Sequence, residues 1–360
     1  MTSQSCFGRR GLLAASVVLV MAVVPGFLTS ASAQYTVTNL VSNQSGVAPT
    51  TDTHLVNAWG LTSSATSPFW VSDNVTGFST LYRSNGSIVP LVVTIPTASG
   101  TGTGTPTGVV FNSGGATDFL VTDPNTHVTA KPLFIFATLD GTISGWNPAL
   151  NPGNVAVIGF TANNGASYSG MTIAENSGAF FLFAADTSTN REVDVFDSHF
   201  NLVRSISDPA IPQKFAPYDV RAINGQLWVT YTALDKAQSG FVDVFTLDGV
   251  LVHHDFLKGP LHSPWGIALA PSNFGPFSNA ILIGNNVRDG RINAFDPGTG
   301  QFLGTLTDAS GQPVVINQLW GLDFGKGAVA NNGATNQLFF TAGTNNYGDG
   351  MFGVIEAVHP

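Results

Sequence analysis

The sequence predicts an all-β protein, a propeller of six four-stranded blades. Three observations carry this expectation. Only 10% of the 360 residues are charged, against about 25% in ordinary soluble domains, while Gly reaches 40 and Phe 26,. A short unit built on a turn, a Gly and an aliphatic residue recurs six times,. Most occurrences are followed by three further apolar runs of strand length, some alternating apolar and polar with the strand period of two.

In chain order, the first element is a leader rather than part of the fold. Arg9 and Arg10 precede an apolar stretch from Gly11 to Leu28, and the small residues Ala31-x-Ala33 stand before Gln34. This is the arrangement of a signal peptide over residues 1–33, cleaved near Ala33, so a periplasmic or extracellular location is expected by the general or the twin-arginine route. The one cysteine, Cys6, lies inside the leader, which leaves the exported chain without disulfide or thiol chemistry,. Without Arg9 and Arg10 the chain carries 11 basic residues against 22 acidic ones, a poor surface for nucleic acid or anionic membranes,. No later apolar run approaches the roughly 20 residues that span a bilayer.

Residues 34–360 read as one domain whose blades head near 57, 105, 167, 216, 263 and 318. The headings are "NAWGLTSS", "TPTGVVFN", "SYSGMTIAE", "APYDVRAI", "SPWGIALAP" and "QLWGLDFG". They align at Gly60, Gly108, Gly170, Asp219, Gly266 and Gly321, which are separated by 48, 62, 49, 47 and 55 residues. Second runs follow as "FWVSDN", "FLVTD", "FFLFAAD", "LWVTYTALD", "AILIGNN" and "LFFTAGTNN". Third and fourth runs complete the first five units, the second of which, with "TISGWNPA" and "NVAVIGF", also carries the extra residues "PNTHVTAKPLFIFATLD". The sixth unit ends after its third strand, "MFGVIEAV", so the missing fourth is assigned to "YTVTNLV" at about 35–41, which closes the ring,. A two-sheet sandwich would need two domains at this length, and a solenoid would show a much shorter period.

The units "SPWGIALAP…AILIGNNVRDGRINAFDPGTG" and "AADTSTNREVDVFDSHF" resemble NHL repeats in their Pro-x-Gly-Ile-Ala heading and their Arg-Ile…Phe-Asp third strand. The whole chain after the leader, with "VNAWGL" and "DGTISGWNP", is similar to a group of exported bacterial propeller proteins of unknown biochemical role. The resemblance implies six blades and export, and no reaction. Gluconolactonase-like and senescence-marker-like hydrolases of related shape hold a divalent metal at the pore through a first-blade Glu and later Asn and Asp residues. Here Asn57 stands where that acidic ligand is wanted, and the three Glu of the chain, Glu175, Glu192 and Glu356, all lie outside the first blade.

Loops that lead into the inner strands gather around the pore, and function usually sits there. Directly before the aligned positions stand Trp59, Thr107, Ser169, Tyr218, Trp265 and Trp320, and ring closure makes the four aromatics one arc. Such an arc suits a sugar ring or a flat apolar ligand, and the same rings would equally serve as wedges between blades. His54, Asn57, His262 and Gln318 occupy the same lead-in segments, as ligand contacts or as turn caps,. The second-strand ends offer Asp73, Asp123, Asp186 and Asn285, whose oxygens would suit Ca²⁺ or a similar divalent cation if they converged, although Asp and Asn are also ordinary turn residues,. His253 and His254 fall on an outer strand and face opposite ways, which argues against joint chelation.

The sequence shows no nucleophile elbow, phosphate loop or dinucleotide fingerprint,. The reading is a binding or scaffold protein with a small molecule, a glycan or an envelope protein at the pore face. Its alternative is a metal-assisted hydrolase or lyase of a small ester or sugar.

Overall fold

Among the described residues, six sheets stand around a central axis; in five the strands run from innermost to outermost in sequence order, and in the sixth the outer strand comes from the start of the chain. In the computed structural model, which describes residues 1–4, 34–150, 153–235, 237–257 and 259–358, the fold occupies the compact unit Ala33–Pro360. The leader read at residues 1–33 lies outside the described residues apart from Met1–Gln4. Among the described residues no helix is long and apolar enough to cross a membrane.

The inner strands are Ala58–Thr62, Pro106–Phe111, Tyr168–Asn176, Phe215–Ile223, Pro264–Leu269 and Leu319–Phe324, one per blade. Their apolar and β-branched residues are buried because a neighbouring blade covers each face,. Blade 6 is completed by the other end of the chain: Tyr35–Ser42 pairs antiparallel with Met351–Ala357, in a register running from Tyr35↔Ala357 to Ser42↔Met351. The sheet edge that the last blade would otherwise expose is thereby paired. Tyr35 fixes this strand further, donating its hydroxyl to the Phe274 carbonyl at 3.0 Å and lying in contact with the Phe274 and Phe277 rings of blade 5.

Blade 2 departs from the sequence reading. Its second strand is Phe134–Thr138, taken from the stretch read as extra residues, whereas "FLVTD" contributes only Val121–Thr122 to a small hairpin with Thr129–Ala130. Both segments have the apolar composition of a strand. Phe134, Ile135, Phe136 and Ala137 are all buried, while the inserted hairpin alternates buried and exposed,.

The core is layered between blades. Trp70 and Phe134 meet between blades 1 and 2, Tyr168 and Ile135 between 2 and 3, Phe183 and Val220 between 3 and 4. Trp228 and Ile267 meet between blades 4 and 5, Leu282 and Phe340 between 5 and 6, Phe69 and Phe339 between 6 and 1. A seventh cluster, of Trp59, Trp265 and Trp320, lies on the axis instead.

Candidate functional site

Every inner strand carries a bulge at its heading. In blade 1, Ala58 pairs with Asp73 and the next pair is Leu61 with Val71; in blade 3, Tyr168 pairs with Asp186 and the next is Gly170 with Ala185. The residues skipped include Trp59, Thr107, Ser169, Tyr218, Trp265 and Trp320, and in blades 1, 2, 5 and 6 the following Gly is skipped as well. A bulge re-aims a side chain out of the alternating pattern of the strand. In the three Trp blades the residue two places earlier, Asn57, Ser263 or Gln318, takes a left-handed φ of 51°, 47° and 47°.

The aligned glycines follow from the crowding at the axis. A β-carbon on Gly60 would lie under 3.0 Å from the Thr107 carbonyl, one on Gly266 equally close to the Trp320 carbonyl, and one on Gly321 to the Trp59 carbonyl. Each is backbone of the next blade round the ring, so only Gly permits the approach. The smaller headings use the same closeness for hydrogen bonds: Thr107 Oγ1 donates to the Tyr168 carbonyl at 2.6 Å and Ser169 Oγ to the Tyr218 carbonyl at 2.8 Å.

The four aromatic headings do not stand as an arc around an open pore; they meet in its centre. Trp320 stacks on Trp59 with centroids 3.6 Å apart and planes at 20°. Trp265 meets both edge-on at 5.5 and 6.1 Å, and Tyr218 meets them at 5.7 and 6.4 Å. Edge-on contacts place the positive ring edge on a negative face, which favours this packing over separated rings in water. Trp59, Trp265 and Trp320 are 7%, 4% and 1% exposed, so the rings plug the channel. The Trp320 indole donates to Asn57 Oδ1 at 2.9 Å and the Trp265 indole to the Ser169 carbonyl at 3.1 Å.

Above the plug is an open depression of about 510 Å³. Trp59 and Tyr218 reach it from the plug, and Tyr347, Asn286, Gln238 and Thr187 line it from the surrounding loops. Every lining residue is uncharged. Asn286 Oδ1 accepts hydrogen bonds from the Tyr347 hydroxyl at 2.9 Å and the Tyr218 hydroxyl at 3.4 Å, while its amide nitrogen donates to the Leu319 carbonyl at 3.1 Å. Burial pushes both phenols above their ordinary range, so both remain protonated donors,. Sequence reasoning missed Tyr347, which follows Asn345 and Asn346 in a loop where all three residues have positive φ. The aromatic residue in "TNNYGD" was the available signal.

The remaining predicted residues are placed elsewhere. His54 is half exposed and binds Asp52 Oδ1 through Nδ1 at 2.9 Å, as a turn cap. Asn57 is occupied by Trp320 and Asn74, and Gln318 is buried with its backbone N–H on the Val287 carbonyl. His262 lines a separate hollow on blade 5 with Asp289 and Arg291.

Asp73, Asp186 and Asn285 each pair with the first residue of their inner strand, but on three different blades, and Asp186 and Asn285 have local duties while neither carboxylate oxygen of Asp73 has a hydrogen-bond partner. Asp186 accepts from the Ser167 and Ser188 N–H groups and from Asn190. Asn285 holds the Pro260 carbonyl and the His262 N–H. Asp73 is fully buried, and burial raises its pKa well above the carboxylate range. Asp123 sits on the inserted hairpin of blade 2, where it caps the Asn125 and Thr126 N–H groups. Among the described residues, no group of three acidic or His ligands within reach of one ion combines Asp73, Asp123 and Asp186. Asp73, Asp123 and Asp186 therefore do not come together as one set of acidic ligands.

No family model matches the chain. It is 30% identical over 346 residues to the uncharacterized protein L690 of Acanthamoeba polyphaga mimivirus, covering 90% of this chain and 86% of that one. It is likewise 30% identical over 343 residues to the uncharacterized protein R648 of the same virus, covering 88% and 78%. Among solved structures it is similar to a streptogramin B lyase, with a TM-score of 0.53 and 12% identity over 90% of this chain and 97% of that one. Virginiamycin B lyase from Staphylococcus aureus gives the same TM-score of 0.53 at 11% identity over 90% and 99%. At such identities the two lyases show a common fold.

Proposed function

The chain belongs to one family with the mimiviral proteins L690 and R648, and on that premise we propose that it is an exported binding protein whose channel mouth takes a neutral ligand with an apolar face. A glycan is the class that fits best. The observation that supports this reading is the depression above the aromatic plug, where Trp59, Tyr218 and Tyr347 supply ring surface, Asn286, Gln238 and Thr187 supply polar groups, and no lining residue is charged. Ring surface with a few oriented donors suits a sugar, whose faces are apolar and whose rim is hydroxyl. On a chain of net charge −9 an uncharged lining also disfavours selection by charge,. The NHL-like blades serve as scaffold, and the leader at residues 1–33 directs export, where such ligands are met.

The alternative, a metal-assisted hydrolase or lyase, drew on a ring of pore ligands, and the separation of Asp73, Asp123 and Asp186 takes that support away. The test is a titration of tryptophan emission with neutral oligosaccharides, repeated with uronate-containing ones. The reading expects saturable change with the neutral set, lost in Tyr347→Ala and Asn286→Ala while far-ultraviolet circular dichroism is unchanged. Emission unmoved by every oligosaccharide, or moved equally in both variants, would overturn it.

A further inference from the structure

The repeat places a polar residue at the centre of the third strand in blades 3, 4 and 5: Asp194, Asp243 and Asn293. Each faces a residue of the fourth strand. In blade 3 the register puts Asp194 opposite Ser205, and in blade 5 Asn293 opposite Thr305. Blade 4 pairs Val244 with His253, so the residue opposite Asp243 is His254. His254 therefore stands where the neighbouring blades have a hydroxyl.

In those neighbours the third-strand side chain is satisfied. Asp194 accepts from the Ser205 hydroxyl at 2.7 Å and the Tyr168 hydroxyl at 2.8 Å. Asn293 accepts from Thr305 at 2.8 Å and donates to the Pro260 carbonyl at 2.9 Å. Asp243 is different: it is 0% exposed, Oδ1 accepts from the Asp255 N–H at 2.8 Å, and Oδ2 has no hydrogen-bond partner. A second buried carboxylate, Asp208 from the segment leading into blade 4, joins it, and His254 Nδ1 lies 2.6 Å from Asp208 and 3.5 Å from Asp243. One ligand atom from each of the three residues lies within 4.8 Å of the others.

Two buried carboxylates against one imidazole leave negative charge uncompensated at neutral pH, a costly arrangement unless a cation joins it. Donors bound at about 2.0–2.2 Å to one ion stand about 3–4 Å apart, which a small contraction of this group reaches. An imidazole nitrogen with two carboxylate oxygens suits a divalent transition ion over Ca²⁺, whose ligands are oxygens. We propose that Asp208, Asp243 and His254 form a site for one Zn²⁺-like cation on the outer half of blade 4. The site shares no residue with the depression at the channel mouth. His254, with its side chain 45% exposed, gives the ion a way in and leaves room for water as the remaining ligand. The group Asp186, Glu192 and Asp194 of blade 3 is not given this role, since the hydrogen bonds of Asp186 and Asp194 are already filled by protein groups.

The test is calorimetric titration of chelator-stripped full-length protein with ZnCl₂, and separately with MnCl₂, for the parent chain, Asp243→Asn, His254→Ser and the control His253→Ala. His254→Ser installs the residue blade 3 already uses, so it keeps the fold, and it decides the matter alone should Asp243→Asn fail to fold. The expected result is a Zn²⁺ or Mn²⁺ site that His253→Ala leaves intact and that each of the other two weakens by about tenfold or more. Absence of binding of both metals by the parent, or weakening of less than about tenfold in folded His254→Ser or Asp243→Asn, overturns the proposal.

Discussion

The indole of Trp320 lies flat on that of Trp59, centroids 3.6 Å apart, and so joins blade 6 to blade 1 where the chain closes its ring. The two indoles are not equivalent. Trp320 Nε1 donates to Asn57 Oδ1 at 2.9 Å, whereas Trp59 Nε1 is buried without a partner. Replacing each by Phe keeps ring surface and removes the N–H. At position 320 the substitution strands the buried Asn57 oxygen, at a cost of about 1–3 kcal/mol; at position 59 it relieves an unsatisfied donor. Urea unfolding should therefore show Trp320→Phe less stable than Trp59→Phe. Equal losses would show that the hydrogen bond to Asn57 contributes nothing.

The axial glycines make a second test. Gly266→Ala would drive a methyl group against the Trp320 carbonyl and the Leu322 side chain of the next blade. Gly298, in an exposed turn of the same blade, meets nothing nearer than Asp296 Oδ1 at 3.5 Å. Gly266→Ala should cost about 1–3 kcal/mol as blades 5 and 6 are pushed apart, and Gly298→Ala close to nothing. Thermal unfolding of the pair distinguishes crowding from a general preference for Gly in strands. A harmless Gly266→Ala would contradict the packing described here.

Ring closure by the chain end predicts that a chain beginning at Asn43 behaves unlike one beginning at Gln34. Without Tyr35–Ser42 the edge of Met351–Ala357 is open and Phe352 and Ile355 lose their cover. Such an edge is a template for pairing with other chains. The shorter chain should unfold on the order of 10 °C lower and form oligomers on size exclusion. Unchanged melting would mean that blade 6 is stable with three strands.

How much of this was legible in the sequence depends on what a linear pattern encodes. The bulged headings were legible, because Trp59, Trp265 and Trp320 each precede a Gly that the closeness of the next blade demands. The closing strand was legible from what the sixth unit lacked. "FLVTD" was misassigned, since composition marks a strand without naming its partner, and the hydrogen bonds of "FIFAT" to Pro106–Phe111 are long-range facts. The plug was not legible either, because four rings known to be neighbours can line a channel or fill it, and only the channel's width decides. His254 was set aside on the correct ground that it faces away from His253; its carboxylate partners come from 46 residues earlier and from the adjacent strand.

Asp219 gives the prediction with a defined pH window. It is the one aligned heading position without Gly, and its carboxylate lies against Gly170 beside a hollow of about 10 Å³ in the channel. Burial, only partly offset by Arg221, pushes its pKa from 3.8 to about 8,. Arg221 is itself engaged by Asp323 at 3.1 Å, which also holds Lys326 at 2.7 Å. Because the folded value is the higher one, Asp219 carries no penalty below about pH 4, where it is protonated folded and unfolded alike. As pH rises from about 4 to about 8 the unfolded chain releases this proton and the folded chain keeps it, so stability falls by up to about 1.4 kcal/mol per pH unit and then levels. Asp219→Asn preserves shape and has no such proton. The stability gained by the variant should be small in urea melts at pH 5 and larger at pH 8, with other titrating groups cancelling in the difference. A gain of the same size at both values would mean that Asp219 ionises freely in the channel, and that the hollow is open to water from below the plug.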